Sequence, residues 1–504
     1  MLQTHLKFFI RAFLKDKFFS TLNVLGLALG ISVSVLLLLI LQHDLTYDKH
    51  YKDHERIYRL GSHVQATGVD NRAARSAREL GDILKNEFPE VMEVTRAVAW
   101  NHVLVRNERN GEDIAFYEED LVHTDSTYFE IFDHKFIAGD KNTALDHLNS
   151  VVISESTAKR YFGKEDPLDK SLYIGDGLWK VTGVIEDLPR NTHLKFDFLL
   201  SGLSHTRSWV VEDGQTVKSE AFWNPDVYLY LLMPEEYDSQ RFYEKFPAIY
   251  DKYFKSFGDQ VGGRYTPILH PLASIHFGSD LLADEPVGDI SYVYAFTGVG
   301  ILIMLLACIN YMNLATSKSM KRAGEIAMKK TLGSGKLALI LTFLGESVFL
   351  ALVSLVVAIA VVSVVVSLPS FSQLIGREIT ADFLGNPTLL FGSVGLAVLI
   401  GVVSGLYPAV VMPAIPTLTA LKGLYKNNKS GLTLRRVLIG VQFAISIFVV
   451  VCTLFMQQQI EFVRNQDLGF DKENVLIIPI QDTVVQNNLS AIKNELLQHN
   501  KITS

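Results

Sequence analysis

Histidine and cysteine most often carry nucleophilic, acid–base or metal chemistry, and their spacing in this chain supports none of it. The only two cysteines, Cys308 and Cys452, lie in apolar runs. The polar part of the chain therefore has no thiol nucleophile, cysteine zinc site or disulfide framework. His123, His134, His147, His193 and His276 are not spaced as paired ligands on one helix, and HExxH is absent. They read as surface or hydrogen-bonding histidines. The stretch from Lys330 to Leu337 (KTLGSGKL) resembles a phosphate-binding loop only in part. Its first required Gly is Lys330, and Leu337 stands where a Ser or Thr would meet magnesium. No catalytic, metal-ligating or cofactor-binding residue is assigned, and the chain is not expected to be an enzyme.

What remains is the chemistry of charge and docking. Lys318 to Ser334 reads KSMKRAGEIAMKKTLGS, a short basic helix in which Ile326 and Leu332 are expected to supply apolar contacts. Glu325 stands four residues before Lys329, and Gly333 is placed to end the helix. Such a helix can lie along a membrane, where anionic headgroups attract Lys and Arg, so lipid is its simplest partner. Glu346 is the only carboxylate inside any long apolar run. At that depth it is costly unless paired or wet, so it either meets Lys329 or Lys330 or faces water at headgroup level. Asn310 and Asn313 either bond between helices or face the interface.

The elements that position these residues are membrane spans. Five apolar runs, 21–41, 292–316, 337–368, 388–412 and 437–456, are long enough to cross a hydrocarbon core of about 30 Å, which needs roughly 20 helical residues. The third is longer than required and is expected to tilt or to project at its cytoplasmic end. The first begins like a signal peptide, but no small-x-small cleavage site follows Leu41, so it reads as an uncleaved anchor. Residues 1–20 form a cytoplasmic amphipathic segment. Residues 42–291 form one large insertion, 317–336 the basic helix, 369–387 an external loop, 413–436 a cytoplasmic loop and 457–504 the start of a second external domain.

Basic residues flanking the spans set the orientation. The segments before the first span, between the second and third, and after the fourth carry 15 Lys and Arg against Asp16 and Glu325, a balance of +13 in a chain of net charge −7. These segments and the N-terminus belong in the cytoplasm. The remainder, dominated by the insertion, stands at −20. An acidic exported domain excludes nucleic acid as a partner class, because that binding needs a basic footprint.

Within the insertion, 172–174, 179–185 and 227–232 read as strands. Leu80, Ile83 and Leu84 share a helical face, and Ser154 caps a helix that runs to Phe162. Turns stand at Gly175-Asp176-Gly177 and Pro189-Arg190-Asn191. The expected fold is an α-helical membrane protein of five spans, with a large α+β domain inserted between spans 1 and 2. Gly26, Gly30 and Ser34 in the first span, and Ala397, Gly401, Gly405 and Ala409 in the fourth, recur every four residues and form smooth faces for helix contact.

The chain also repeats. Asp44-Leu45-Thr46-Tyr47-Asp48-Lys49 after the first span matches Asp467-Leu468-Gly469-Phe470-Asp471-Lys472 after the fifth. The repeat implies a second external domain beyond Ser504, followed by three further spans.

Arg322, Glu325, Ile326, Lys329, Lys330, Leu332 and Gly333, followed by Phe343-Leu344-Gly345-Glu346-Ser347 and Tyr407-Pro408-Ala409, resemble the motifs of ABC transporter permeases of the FtsX-like, or MacB-like, family. Ala158, Tyr161-Phe162-Gly163, Asp166-Pro167, Thr182-Gly183-Val184, Pro189 and Ile275-His276 resemble that family's periplasmic core domain. The resemblance spans nearly the whole chain. It implies an inner-membrane permease subunit that conveys ATP hydrolysis by a separate cytoplasmic ATPase to periplasmic domains, for export, extraction or signalling. It places the ATPase contact on the helix from Ser319 to Leu332 and allows a second permease, or a periplasmic or outer-membrane partner. ATP would be bound by the ATPase and no cofactor by this chain. A ligand-sensing receptor acting through a partner protein is the alternative.

Overall fold

The computed structural model describes residues 17–109, 112–202, 219–278, 281–284, 288–321, 323–376, 379–414, 429–466, 475, 480 and 483–499. The chain divides into two compact units, one built from residues up to Leu45 and from Ile290 to Lys472, the other from Thr46 to Asp289 together with residues from Glu473 on.

The first unit is helical. Among the described residues, five helices are long and apolar enough to cross a membrane: Ser20–Leu45, Ile290–Ser317, Lys336–Val366, Pro387–Val411 and Arg435–Asn465. The chain is a multi-pass membrane protein. The helices outrun the apolar stretches that define the spans. The second continues to Lys321, into the segment assigned to the basic helix, and the fifth runs from Lys429 to Asn465. Hydropathy marks the part that must be dry, whereas backbone hydrogen bonding carries the helix on until a residue stops it. In the loop after the third span, Pro369 opens a short helix to Ile375 and Gly376 closes it.

The first four spans share one apolar core that includes Leu27, Ile31 and Val35 of the first, Cys308 of the second, Leu355 and Val362 of the third and Ile400 of the fourth. Hydroxyls in this core bond back to their own helix, as Ser32 does to Ala28 O and Ser354 to Leu350 O, both at 2.7 Å. Those bonds satisfy polar groups that have no water to turn to. The fifth span has no buried residue along its apolar stretch.

The second unit is α+β. Its sheet runs from the strand Arg264–Pro271 through Ile57–Ala66, Tyr228–Leu232, Glu93–Trp100, Leu121–Thr124, Phe198–Ser201, Ser150–Ser154, Gly177–Ile185, Ser171–Ile174 and Val103–Arg109 to the edge strand Glu112–Glu118. Val69–Ala73 pairs beside Ile57–Ala66, and Phe136–Gly139 beside Gly177–Ile185. Among the described residues, two neighbouring pairs are parallel, Ser150–Ser154 with Gly177–Ile185 and Leu121–Thr124 with Phe198–Ser201.

Between the first of those pairs lies the helix Glu155–Phe162, whose N-cap Ser154 accepts a hydrogen bond from the Thr157 amide. The helix Leu80–Glu87 buries Leu80 and Leu84 against the sheet. The Gly175-Asp176-Gly177 turn closes the hairpin that pairs Ile174 with Gly177.

Candidate functional site

The short basic helix spans Ala323–Thr331. It is shorter than expected because the preceding helix takes the residues up to Lys321. Ile326 and Ala327 are buried and hold one face of it against the membrane unit. Its C-terminus is fixed by bonds from the Gly333 amide to Lys330 O and from the Ser334 amide to Lys329 O, each 3.0 Å. Gly333 takes the left-handed backbone, φ +93°, that a residue with a Cβ resists.

Leu332 is not an internal apolar contact. It is 81% exposed, and Met328, one turn earlier, is 60% exposed. Glu325 is also exposed, while Lys329 and Lys330 are half-buried. The end of the helix and the turn after it therefore present an apolar pair with basic side chains between them. Arg322 lies outside the described residues, as does the second copy of the repeat, residues 467–472.

Among the spans, the small-residue stripes mark close helix contact. A Cβ on Gly30 would stand 2.5 Å from Ala307 Cβ on the second span, and one on Gly26 would stand 3.0 Å from Asn310 Nδ2. Ser34, one turn further on, is buried. On the fourth span, a Cβ on Gly401 would stand 2.7 Å from Val348 Cα, and one on Gly405 2.5 Å from Ser347 Oγ. Ser347, the last residue of the Phe-Leu-Gly-Glu-Ser motif, accepts a bond from Tyr311 Oη at 2.9 Å and donates to Phe343 O at 3.1 Å. Glu346 is half-buried beside it.

The inserted unit contains a polar cluster that sequence reasoning read as ordinary histidines. Asp48, buried and at φ +59°, accepts from Thr192 Oγ1 at 2.8 Å and from the His193 amide at 3.0 Å. His193 Nδ1 lies 2.9 Å from Asp48 Oδ2, and its Nε2 2.7 Å from Tyr230 Oη. Burial alone would push the Asp48 carboxyl up. The His193 charge and the bonds from His193 and Thr192 outweigh it and hold the carboxyl below its ordinary range. Tyr47 stacks on His276, ring centroids 3.8 Å apart.

One signal could have found this cluster. The repeat keeps an aromatic at the position of Tyr47 (Phe470) and an Asp at that of Asp48 (Asp471). Among the described residues, no group of three or more His, Cys, Asp or Glu side chains is placed to hold a metal ion.

Residues 20–235 match the family described as MacB-like periplasmic core domain, and residues 297–413 the family described as FtsX-like permease C-terminal. No curated protein sequence matches the chain. Among solved structures, a domain of a Porphyromonas gingivalis protein described as a permease is 18% identical over 48% of this chain and 98% of its own, with a TM-score of 0.38. The periplasmic region of MacB from Actinobacillus actinomycetemcomitans is 13% identical over 42% and 88%, with a TM-score of 0.27. The extracellular domain of the ABC-type transporter YknZ from Gram-positive bacteria is 16% identical over 42% and 99%, also with a TM-score of 0.27.

Proposed function

Because the chain belongs to the ABC transporter permeases that join an FtsX-like permease region to a MacB-like periplasmic core domain, we propose that it converts ATP hydrolysis by a separate cytoplasmic ATPase into movement of its inserted domain. The N-terminus and the basic segments lie in the cytoplasm of a cell with this chain in its inner membrane, and the inserted domain lies in the periplasm. ATP is bound by the ATPase. This chain supplies the contact and the lever.

The observation that carries the reading is the exposed apolar pair of Met328, on a helix that Ile326 and Ala327 anchor, and Leu332, in the turn that follows it before Gly333. Exposed apolar side chains rimmed by charge mark a protein contact better than a lipid contact when the helix is this short, because a nine-residue helix buries little area in a headgroup layer. A load applied there passes to the second and third spans, which flank the helix in sequence and share one core. Such coupling requires an element that both sites bias, and the close-packed bundle supplies it. Glu346 ties the docking helix to the third span through Lys329 or Lys330.

The test is co-purification with the ATPase. Leu332→Asp and the pair Lys329→Glu, Lys330→Glu are expected to lose the ATPase while the chain stays folded in detergent. A chain that purifies alone, titrates a small ligand and keeps that behaviour in Leu332→Asp is a receptor.

A further inference from the structure

The inserted unit begins at Thr46, directly after the first span helix, and ends at Asp289, directly before the second. Those two ends are fastened to each other. The Tyr47 ring lies on His276 at 3.8 Å between centroids and 10° between planes. His276 is 6% exposed, and its carbonyl accepts a bond from the Gly288 amide at 2.7 Å. A Cβ on Gly288 would stand 2.6 Å from His276 Nε2 and 2.9 Å from Cε1, so Gly288, two residues before the second-span helix, is pressed against the ring that Tyr47 covers.

Each end is separately tied to the sheet. On the outgoing side, the Asp48 amide bonds to Asn191 O at 2.9 Å and Asn191 Nδ2 bonds to Thr46 O at 2.9 Å, while Asp48 itself is gripped by Thr192 and His193. On the returning side, Arg59 of the second sheet strand forms a bidentate, buried pair with Asp284 at 2.7 and 2.6 Å. Breaking one partner of a buried pair leaves a charge without compensation, which is strongly unfavourable.

We propose that the Tyr47–His276 stack is a coupling joint, which makes the two ends of the inserted domain one mechanical input, so that the first and second spans cannot move the domain separately. The proposal rests on the reading that span motion drives the domain. Tyr47 and His276 act as positioning residues through their ring contact. The aromatic ring is the part of Tyr47 that matters, in keeping with Phe470 at the repeated position. The joint also accounts for Ile275-His276, a motif whose role the docking helix leaves unexplained.

The experiment uses the full chain in lipid nanodiscs, with hydrogen exchange as the first readout. In Tyr47→Ala, amides of 46–49 and of 275–278 together with Gly288 are expected to exchange at least about ten-fold faster, while the central strand Tyr228–Leu232 keeps its protection. Tyr47→Phe is expected to match the wild type. Gly288→Ala attacks the joint from the other side and is expected to speed exchange at 46–49, although it lies more than two hundred residues away in sequence. If either variant loosens only its own end, the joint does not exist.

The second readout adds the ATPase and follows a probe on the domain. With Tyr47→Ala the ATPase is expected to hydrolyse ATP without moving the probe, and wild-type movement in that variant overturns the proposal. If the wild type itself shows no ATP-linked movement, the proposed function fails, and the exchange result still decides whether the joint exists.

Discussion

Tyr311 on the second span donates a 2.9 Å hydrogen bond to Ser347 on the third, and Gly405 on the fourth packs onto the same Ser347. Three helices thus meet at one hydroxyl. Interhelical hydrogen bonds in membranes contribute about 0.5–1.5 kcal/mol, because the unbonded groups find other partners. Tyr311→Phe is expected to lower the thermal midpoint of the full chain in detergent modestly and to leave it folded. Ser347→Ala should cost no more than that, and the double variant less than the sum. Additive losses would show that the two residues act independently.

The packing glycines should differ in tolerance according to what their missing Cβ would meet. Gly401→Ala pushes into the Val348 backbone, which cannot yield without moving a helix, and is expected to cost about 1–3 kcal/mol. Gly26→Ala meets only the Asn310 amide at the end of a side chain and is expected to cost less. Melting of the two variants in the same detergent checks the order.

The inserted domain should be acid-sensitive through His134. Burial among the rings of Tyr128, Phe129 and Phe196 pushes its pKa down to about 3. An unfolded histidine titrates near ~6.5. Between those values the unfolded chain binds a proton that the folded chain refuses, so stability falls as pH drops through that window. The slope is at most about 1.4 kcal/mol per pH unit. Asp48 adds a loss of the same sign lower down. Its folded pKa is depressed, so its stabilisation holds above the ordinary carboxylate range and disappears as pH falls through it. His134→Phe is expected to flatten the upper part of the pH–stability curve and leave the lower part, as read by urea unfolding at a series of pH values.

Orientation can be checked by cysteine labelling. A cysteine placed at Lys329 in a chain with Cys308 and Cys452 replaced is expected to resist a membrane-impermeant thiol reagent in intact cells. One placed at Lys141 in the inserted domain is expected to react once the outer membrane is permeabilised. Reversed reactivity would invert the whole reading.

Much of this architecture was legible in the sequence because membrane crossing imposes long apolar runs that nothing else requires. The helices nonetheless ran past those runs at Lys321 and Asn465, where hydropathy says nothing about continued hydrogen bonding. The Ser154 cap, the Leu80 and Leu84 face and the stop at Gly333 were readable because each is a local rule. Leu332 was misjudged. Its hydrophobicity suggested burial, but a helix of nine residues has room for one buried face, and Ile326 and Ala327 occupy it. The Asp48–His193 and Tyr47–His276 contacts join residues more than a hundred positions apart, and only the repeat of Asp44 to Lys49 hinted that this stretch matters.

The central claim is that an ATPase gripping the helix Ala323–Thr331 moves the inserted domain. A spin label on an exposed domain residue, paired with a second on the membrane unit, reports this directly in nanodiscs containing the chain and its ATPase. Comparing the label-to-label distance in ATP with vanadate against the nucleotide-free state should reveal a shift that disappears in Leu332→Asp. An unchanged distance in the wild type under active hydrolysis would contradict the account.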